Sequence, residues 1–208
     1  MFSSFEAWNK KRADIHEEYY MLQVLDSLCN NCLSHRSCVT CSQCHKDYCA
    51  KCDRKTHHLH PFHDRCYIDK YQVPLSPLQV IDDENHIQKA VRILPLKRYS
   101  CLSCTSTDII YDPCDEMCIV LNERGRYDFY KHTIVCKSCG AKDDPFDLRT
   151  IIRSGYWPAA PTTLNYLVDV NLFNLWSNIR SKMPGTSESS FIAALVELSL
   201  GNGRVSIF

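Results

Sequence analysis

The feature that most constrains the fold is a run of closely spaced cysteines and histidines between residues 29 and 63. The cysteines form three Cys-x2-Cys pairs and four histidines follow them: Cys29, Cys32, Cys41, Cys44, Cys49, Cys52, His57, His58, His60 and His63. Two cysteines separated by two residues can bind one tetrahedral zinc ion from a single tight turn. Three such pairs with two histidines supply eight ligands, which is enough for two closed four-ligand sites.

Metal is also needed because residues 29–66 contain very few large aliphatic side chains. Such a segment cannot bury enough apolar area to offset its conformational entropy. A structural zinc can supply on the order of 10 kcal/mol in small zinc-binding domains. We therefore expect this segment to fold around metal.

The redox state of the thiols decides whether the 14 cysteines bind metal or form disulfides. The first residues, Met1 to Arg12, have neither the apolar run nor the cleavage site of a secretory signal, and no run of about 18 apolar residues follows. We therefore expect an intracellular protein without a membrane span, with reduced cysteines that act as metal ligands.

The central part of the cluster resembles the B-box zinc finger. The matching run is Cys41-Ser-Gln-Cys44-His-Lys-Asp-Tyr-Cys49-Ala-Lys-Cys52-Asp-Arg-Lys-Thr-His57. The resemblance implies a cross-brace, in which alternating ligand pairs hold two ions. One ion would take Cys29, Cys32, Cys49 and Cys52, and the other would take Cys41, Cys44, His57 and a last histidine. His63 fits the longer-spaced B-boxes and is favoured, whereas His60 fits the shorter-spaced ones.

A second cysteine cluster occupies residues 99–149. Its two Cys-x2-Cys pairs are Cys101 with Cys104 and Cys136 with Cys139, and Gly140 follows where the backbone commonly needs a positive φ. A predicted hairpin, with strands at 119–121 and 127–129, would bring both pairs to one zinc in a zinc ribbon-like site. The rival assignment uses Cys114 and Cys118 as ligands, and the alternative is that these two are ordinary buried thiols.

The remaining segments complete a small, zinc-stabilised α+β fold. Residues 1–28 are predicted to form an amphipathic helix, because apolar residues recur at helical spacing after a Ser3–Glu6 capping box. Residues 67–98 are a connector with short strands at 80–81 and 91–94. Residues 150–208 form a helical C-terminal segment with helices at 163–183 and 188–200. The apolar stripe of the first helix consists of Phe5, Trp8, Ile15, Tyr19, Leu22 and Leu25, and we expect it to pack on its own chain.

The order of these parts resembles the third kind of CxC-type cysteine cluster domain, associated with Kyakuja-Dileera-Zisupton (KDZ) transposases. The resemblance covers residues 29–204 and depends on three segments: Asn122-Glu-Arg-Gly125-Arg-Tyr127-Asp, Arg153-Ser-Gly-Tyr-Trp157-Pro158-Ala-Ala-Pro161 and Met183-Pro184-Gly185-Thr-Ser187. It implies a zinc-binding accessory region that accompanies a transposase catalytic domain and recognises transposon DNA or partner proteins. We expect no such catalytic domain within these 208 residues.

These patterns predict a non-catalytic interaction module with about three zinc ions, because closed four-ligand sites leave no position for a reactive water. The acidic runs at 82–84 and 143–144 are expected on solvated turns rather than in a nuclease site. The formal net charge of zero favours protein partners over transposon DNA. We expect a nuclear protein with no small-molecule substrate. The alternative is a B-box regulatory adaptor of the ubiquitin-ligase type.

Overall fold

A computed structural model describes residues 4–21, 28–69 and 71–205, which form five helices and eleven strands. The helices of these segments are α1 Ser4–Met21, α2 Ala50–Leu59, α3 Leu148–Arg153, α4 Val170–Lys182 and α5 Glu188–Gly201. The strands are β1 Val39–Cys41, β2 Lys46–Tyr48, β3 Arg65–Ile68, β4 Gln72–Leu75, β5 Gln79–Ile81, β6 Ile87–Lys89, β7 Ile109–Asn122, β8 Gly125–Cys136, β9 Lys142–Asp143, β10 Tyr156–Pro158 and β11 Tyr166–Asp169. The fold is therefore small and α+β.

The first sheet is antiparallel, has the order β2-β1-β3-β4, and is built around the first cysteine cluster. β1 and β2 form a hairpin whose turn carries Cys44, and α2 begins directly after β2. The predicted connector contributes β4 to this sheet and then forms the β5–β6 hairpin. The strand predicted at 91–94 is absent from the described structure, where Ile93 makes a single bridge to Tyr130 and residues 87–89 form the strand instead.

The second sheet has the order β10-β11-β7-β8-β9, and the long β7–β8 hairpin is its centre. The turn is tight because Asn122 Oδ1 accepts the backbone N–H of Arg124, and Gly125 takes a φ of +108°. A register shift between Pro113 and Met117 places residues 114–116 opposite Lys131. The hairpin is much longer than the predicted strands at 119–121 and 127–129.

The helix predicted over 163–183 is wrong in its first third. Residues 166–169 form β11, which pairs with β10 and runs parallel to β7, so that Leu167 is buried in the sheet. α4 starts only at Val170, because the Asp169 side chain accepts the backbone N–H of Asn171 and caps the helix there. Tertiary pairing therefore overrides the helical spacing of the apolar residues.

The main apolar core lies between the second sheet, α3 and the loop segments around Leu94 and Phe146. It consists of Leu94, Leu96, Cys118, Val120, Tyr127, Phe129, Phe146, Ile151, Tyr156 and Leu167. The second C-terminal helix was predicted at 188–200, and α5 spans Glu188–Gly201 with Ser187 as its N-cap. α5 packs against the hairpin turn, where a Cβ on Gly125 would lie 2.9 Å from the Cβ of Ser199.

α1 exposes its described side chains, those of residues 7–18, to solvent. Trp8 and Ile15 of the predicted apolar stripe are 67% and 45% exposed, so they do not pack on the chain as expected. Ser3, Leu22 and Leu25, and the side chains of Phe5 and Tyr19, lie outside the described residues. In the described part of the chain, no helix is both long and apolar enough to cross a membrane.

Candidate metal centres

The first candidate centre brings together the first and the third Cys-x2-Cys pairs of the first cysteine cluster. The thiols of Cys29 and Cys32, in a turn before β1, meet those of Cys49 and Cys52, at the start of α2. All four Sγ atoms lie within 4.8 Å of one another, and three of the four residues are buried. Asn31 Nδ2 donates to Cys52 Sγ at 3.3 Å, so a neighbouring amide also faces this thiol.

The second candidate centre uses the ligand pairs that lie between and after those of the first. Cys41 and Cys44, at the turn between β1 and β2, meet His57 of α2 and His63 of the following loop. Cys44 Sγ lies 3.6 Å from His57 Nε2 and 3.2 Å from His63 Nδ1. The two rings therefore present different nitrogens to the thiols.

A buried carboxylate fixes the orientation of His57. Asp53 Oδ1 lies 2.7 Å from His57 Nδ1, and Asp53 Oδ2 accepts from Arg65 Nη1 at 2.8 Å. Burial alone would raise the pKa of Asp53, but His57 and Arg65 outweigh it and hold that pKa below its usual value. A carboxylate at Nδ1 keeps the proton on that nitrogen and leaves the Nε2 lone pair directed at the thiols.

The third candidate centre closes the open end of the β7–β8 hairpin. Cys101 and Cys104 meet Cys136 and Cys139, again with the four Sγ atoms within 4.8 Å of one another. Unlike the ligands of the other two centres, Cys104 and Cys139 are exposed. Lys137 N donates to Asp108 O at 2.9 Å and ties the two cysteine pairs together through the backbone.

Four of the five Cys-x2-Cys pairs, those whose second cysteine is followed by a loop, share one backbone feature. The residue after the second cysteine has a positive φ of 54° at Leu33, 50° at His45, 59° at Thr105 and 72° at Gly140. Only Gly140 adopts this conformation without a steric penalty. The other three turns hold an unfavourable backbone, which indicates that the geometry of the thiols determines the turn.

The distances between thiols fit a tetrahedral ion. Sγ atoms are 3.9 Å apart for Cys32 and Cys49, and 3.5 Å apart for Cys104 and Cys136. A tetrahedral site with Zn–S bonds of about 2.3 Å has edges of about 3.8 Å, whereas a disulfide is about 2.05 Å long. All 14 cysteines lie in described segments and all are free thiols. The three groups could therefore each hold a metal ion.

Without a cation, neighbouring thiols of one group differ widely in acidity. Contact with His35 lowers the pKa of Cys32 to about 5, while burial raises the pKa of Cys49, in the same group, to about 12. Burial likewise raises the pKa of Cys41 to about 11. Such a group cannot ionise all its thiols on its own, and a divalent cation would supply the missing compensation.

The three groups contain all twelve residues predicted as metal ligands and leave out the three possible ones. His60 stacks on His63 with ring centroids 4.9 Å apart but belongs to none of the groups found among the described residues. Cys118 is fully buried in the main core, and burial raises its pKa to about 12. Cys114 lies four residues earlier, at the register shift of β7, and also belongs to no group.

Asp64 connects the second candidate centre to the rest of the molecule. It follows His63, and its carboxylate accepts from Gln43 Nε2 at 3.0 Å and from Tyr127 OH at 3.1 Å. Arg204, after α5, pairs with the same carboxylate and lies 4.2 Å from the centroid of the Tyr127 ring. The loop that carries His63 is therefore held by both the hairpin and the C-terminal segment.

Sequence analysis missed Asp53, Arg65 and Asp64 as supporting residues. Asp53 precedes His57 by four residues in a predictable helix, so helical spacing could have identified that pair. No local pattern identifies Arg65, which reaches Asp53 across twelve residues, or Arg204, which reaches Asp64 across 140. Those contacts exist only once the chain has folded.

Comparison with known proteins gives one finding, from protein families. The family model described as a CxC3-like cysteine cluster associated with KDZ transposases matches residues 88–202, which is more than half of the chain and includes the third candidate centre. No curated protein and no solved structure is similar enough to match. The matched model describes a cysteine cluster and not a catalytic domain. The chain belongs to the CxC3-like cysteine cluster family associated with KDZ transposases.

Proposed function

We propose that this chain is a zinc-stabilised recognition module without catalytic activity, in which three zinc ions hold the binding surfaces in place. The observation that carries the proposal is the grouping of four cysteine or histidine ligand atoms within 4.8 Å of one another at three places. The first two groups would form a cross-brace of the B-box kind, because their ligand pairs alternate along residues 29–63. The third would be a zinc ribbon-like site.

Zinc is the metal that these donors favour. Thiolate and imidazole ligands in groups of four are typical of structural zinc, while calcium and magnesium prefer oxygen ligands. The carboxylate of Asp53 behind His57 is the usual outer partner of a zinc-binding histidine. The residues present therefore fit zinc better than a hard cation.

The number of ligands in each group supports a role without catalysis. Catalytic zinc usually has three protein ligands and keeps one position for water or substrate, whereas each group here supplies four. Two of the acidic residues in the runs at 82–84 and 143–144 have structural contacts, since Asp143 pairs with Arg98 and the Asp82 carboxylate accepts two backbone N–H groups of its own turn. We therefore propose that the chain has a recognition role and that it acts in the nucleus.

The proposal is tested by counting zinc ions per chain with native mass spectrometry, on protein purified without chelator. We expect three, and we expect Cys104→Ser to lose one and Cys41→Ser to lose both ions of residues 29–63, because the two groups share that segment. Four would assign ligand roles to Cys114 and Cys118. A count of zero or one, with disulfides in place of free thiols, would refute the proposal.

A B-box adaptor of the ubiquitin-ligase type is the second candidate function. It is favoured by the position of the first two candidate centres, which lie in residues 29–63 and therefore outside the matched family region of 88–202. Ubiquitin transfer in the presence of a conjugating enzyme, lost in Cys41→Ser and retained in Cys104→Ser, would support this candidate. Transfer that no cysteine variant alters would count against it.

A further inference from the structure

A cleft of about 470 Å³ lies between the end of α2 and the second sheet. Its size falls in the range of sites that bind small ligands. It is lined by His58, Leu59, Pro61, Arg92, Ile93, Leu94, Pro95, Leu96, Lys97, Tyr99, Tyr111, His132 and Ser154. None of these residues is acidic, and they include an arginine and a lysine, so the cleft favours an anion.

Arg92 lines the cleft and is buried, and it forms no ion pair with a carboxylate of the described residues. It is 5% exposed, and its Nε donates to Pro77 O at 3.1 Å. In the described part of the chain, the nearby carboxylate of Asp53 is already shared by His57 and Arg65. Burial lowers the pKa of Arg92 to about 10, which leaves it charged at neutral pH. An uncompensated buried charge is costly unless a ligand neutralises it.

We propose that this cleft binds one nucleotide unit of a single-stranded nucleic acid, with its phosphate at Arg92 and Lys97 and its base against Tyr99 and Tyr111. The inference rests on the proposed function and names the ligand of that recognition module. An arginine guanidinium matches the geometry of a phosphate and can bind it through two parallel hydrogen bonds. Lys97 is exposed at the same cleft and adds a second charge.

The aromatic side chains favour a nucleotide over an acidic peptide. Tyr99 is 67% exposed, and a base could stack on its ring. Tyr111 donates to Arg98 O at 3.1 Å, and its ring meets the edge of His132 with centroids 5.3 Å apart. Its ring is therefore held in place before a ligand arrives. The carboxylate of an acidic peptide would pair with the charge of Arg92 but would gain nothing from stacking on these aromatic rings.

His132 provides a polar group at the same wall of the cleft. It is 2% exposed, and its Nδ1 has no hydrogen-bond partner in the described structure. Burial lowers its pKa to about 4, so the ring is neutral at physiological pH, and Nδ1 can donate or accept one hydrogen bond according to the tautomer. An unpaired buried nitrogen beside an aromatic wall suits the edge of a base.

The cleft explains how a chain of zero net charge could still bind nucleic acid. A duplex is usually bound through many phosphates, which needs an extended basic surface. One unit of a single strand presents only one phosphate to the cleft. With one phosphate neutralised, binding should weaken only roughly threefold between 50 and 200 mM salt, since the logarithmic slope for single strands is about −0.7 per phosphate.

The test measures fluorescence anisotropy of a labelled octathymidylate with the full zinc-loaded chain. We expect Arg92→Met to weaken binding by about tenfold or more, and Tyr99→Ala by about fivefold through lost stacking. Lys97→Gln should weaken it severalfold, whereas Lys182→Gln, an exposed lysine at the end of α4 that does not line the cleft, should not. Free thymidine monophosphate should compete with the strand.

Further readouts keep the test decisive. Native mass spectrometry should find three zinc ions in every variant, so that lost binding with retained zinc is separated from failure of the metal-stabilised fold. Arg92→Met should melt no lower than the native chain, because it removes an unpaired buried charge. If Arg92→Met does not fold, the test depends on Tyr99→Ala and Lys97→Gln, which change exposed residues. Equal weakening by Lys182→Gln, stronger competition by hexaglutamate than by the monophosphate, or no binding with three zincs present would overturn the proposal.

Discussion

The two cysteine-rich regions of the molecule differ in what lies at their centres. In the first, residues 29–66, the larger buried cluster consists of Cys29, Cys41, Tyr48, Cys49 and Cys52, and four of its five members are candidate ligands. A smaller apolar cluster joins Val39 and Ala50 of this region to Leu75 and Ile81. In the second, the main core has ten buried residues and none belongs to a candidate centre. Metal would therefore replace a core in the first region and close the end of an already packed hairpin in the second.

The exposure of the ligands agrees with this difference. Three ligands of the first group are buried, whereas Cys104 and Cys139 of the third are exposed. The supporting contacts differ too, since His57 has the buried pair Asp53 and Arg65 behind it. Loss of metal should consequently have unequal effects on the two regions.

The largest expected effect comes from removing one ligand in each region. Cys41→Ser should unfold residues 29–66, because a structural zinc in a small domain contributes on the order of 10 kcal/mol and little apolar core remains. Cys104→Ser should fray only the ends of β7 and β8. Hydrogen exchange of backbone amides, read by mass spectrometry, distinguishes a lost domain from a frayed end.

The matched control is Cys114→Ser, which removes a thiol outside the three groups and should change neither zinc content nor exchange. If Cys104→Ser exposed the second core as fully as Cys41→Ser exposes the first region, the two regions would depend on metal alike. The comparison would then be wrong.

The second prediction concerns the carboxylate behind His57. Asp53→Asn keeps the size of the side chain but removes the charge at His57 Nδ1, so we expect zinc affinity of the second candidate centre to fall about 10–100-fold. Competition with a chromophoric chelator measures this affinity. Asp83→Asn, at an exposed carboxylate paired with Arg54, should leave it unchanged. Equal affinities in the two variants would show that Asp53 does not orient the ligand.

The third prediction compares two glycines that both need a positive φ. A Cβ on Gly125, where φ is +108°, would lie 2.9 Å from Ser199 Cβ and 3.0 Å from Leu195 O, so Gly125→Ala combines backbone strain with a clash against α5. We expect it to lower the free energy of unfolding by about 2–4 kcal/mol. Gly140, at +72°, has nothing within 4 Å of its Cβ direction, and Gly140→Ala should cost only about 1 kcal/mol.

Urea unfolding monitored by circular dichroism measures both glycine variants. Similar losses would mean that α5 adjusts to the added methyl group and that the second region is less tightly packed than its core indicates. A larger loss at Gly140 would instead assign the greater strain to the third candidate centre.

The sequence predicted the candidate centres better than the fold around them. All twelve side chains that the structure brings together were predicted as ligands, because a Cys-x2-Cys pair is a local pattern with a local geometric cause. Their binding of zinc, and the cross-brace itself, stay predictions. The family resemblance, which depended on the segments around Gly125, Trp157 and Gly185, is confirmed by the match to residues 88–202.

What the sequence could not predict depends on contacts between distant residues. Residues 166–169 have helical spacing of apolar side chains, yet pairing with β7 makes them a strand. Asp64 and Arg204 are 140 residues apart, and neither belongs to a recognisable pattern. Local patterns determine ligand turns and helix caps, whereas the choice of strand partners is made by the whole fold.

The last prediction tests whether the second region contains a pH-sensitive group that is independent of metal. Burial lowers the pKa of His132 to about 4, whereas the unfolded chain takes up this proton near pH 6.5. Below pH 6.5 the unfolded state therefore binds more protons than the folded state, and stability falls as the pH falls. Between pH 7.5 and 5.5 this loss should reach about 1.4 kcal/mol, and His132→Phe should remove it.

The measurement is urea unfolding of the native chain and of His132→Phe at both pH values, in excess zinc. Protonation of the metal ligands affects both proteins equally, so it cancels in the difference between their free energies of unfolding. His86→Gln, at an exposed histidine, should keep the native pH dependence. If the native chain and His132→Phe lost stability in parallel, the pH response would come from the metal ligands alone, and the second region would depend on its metal more than its core suggests.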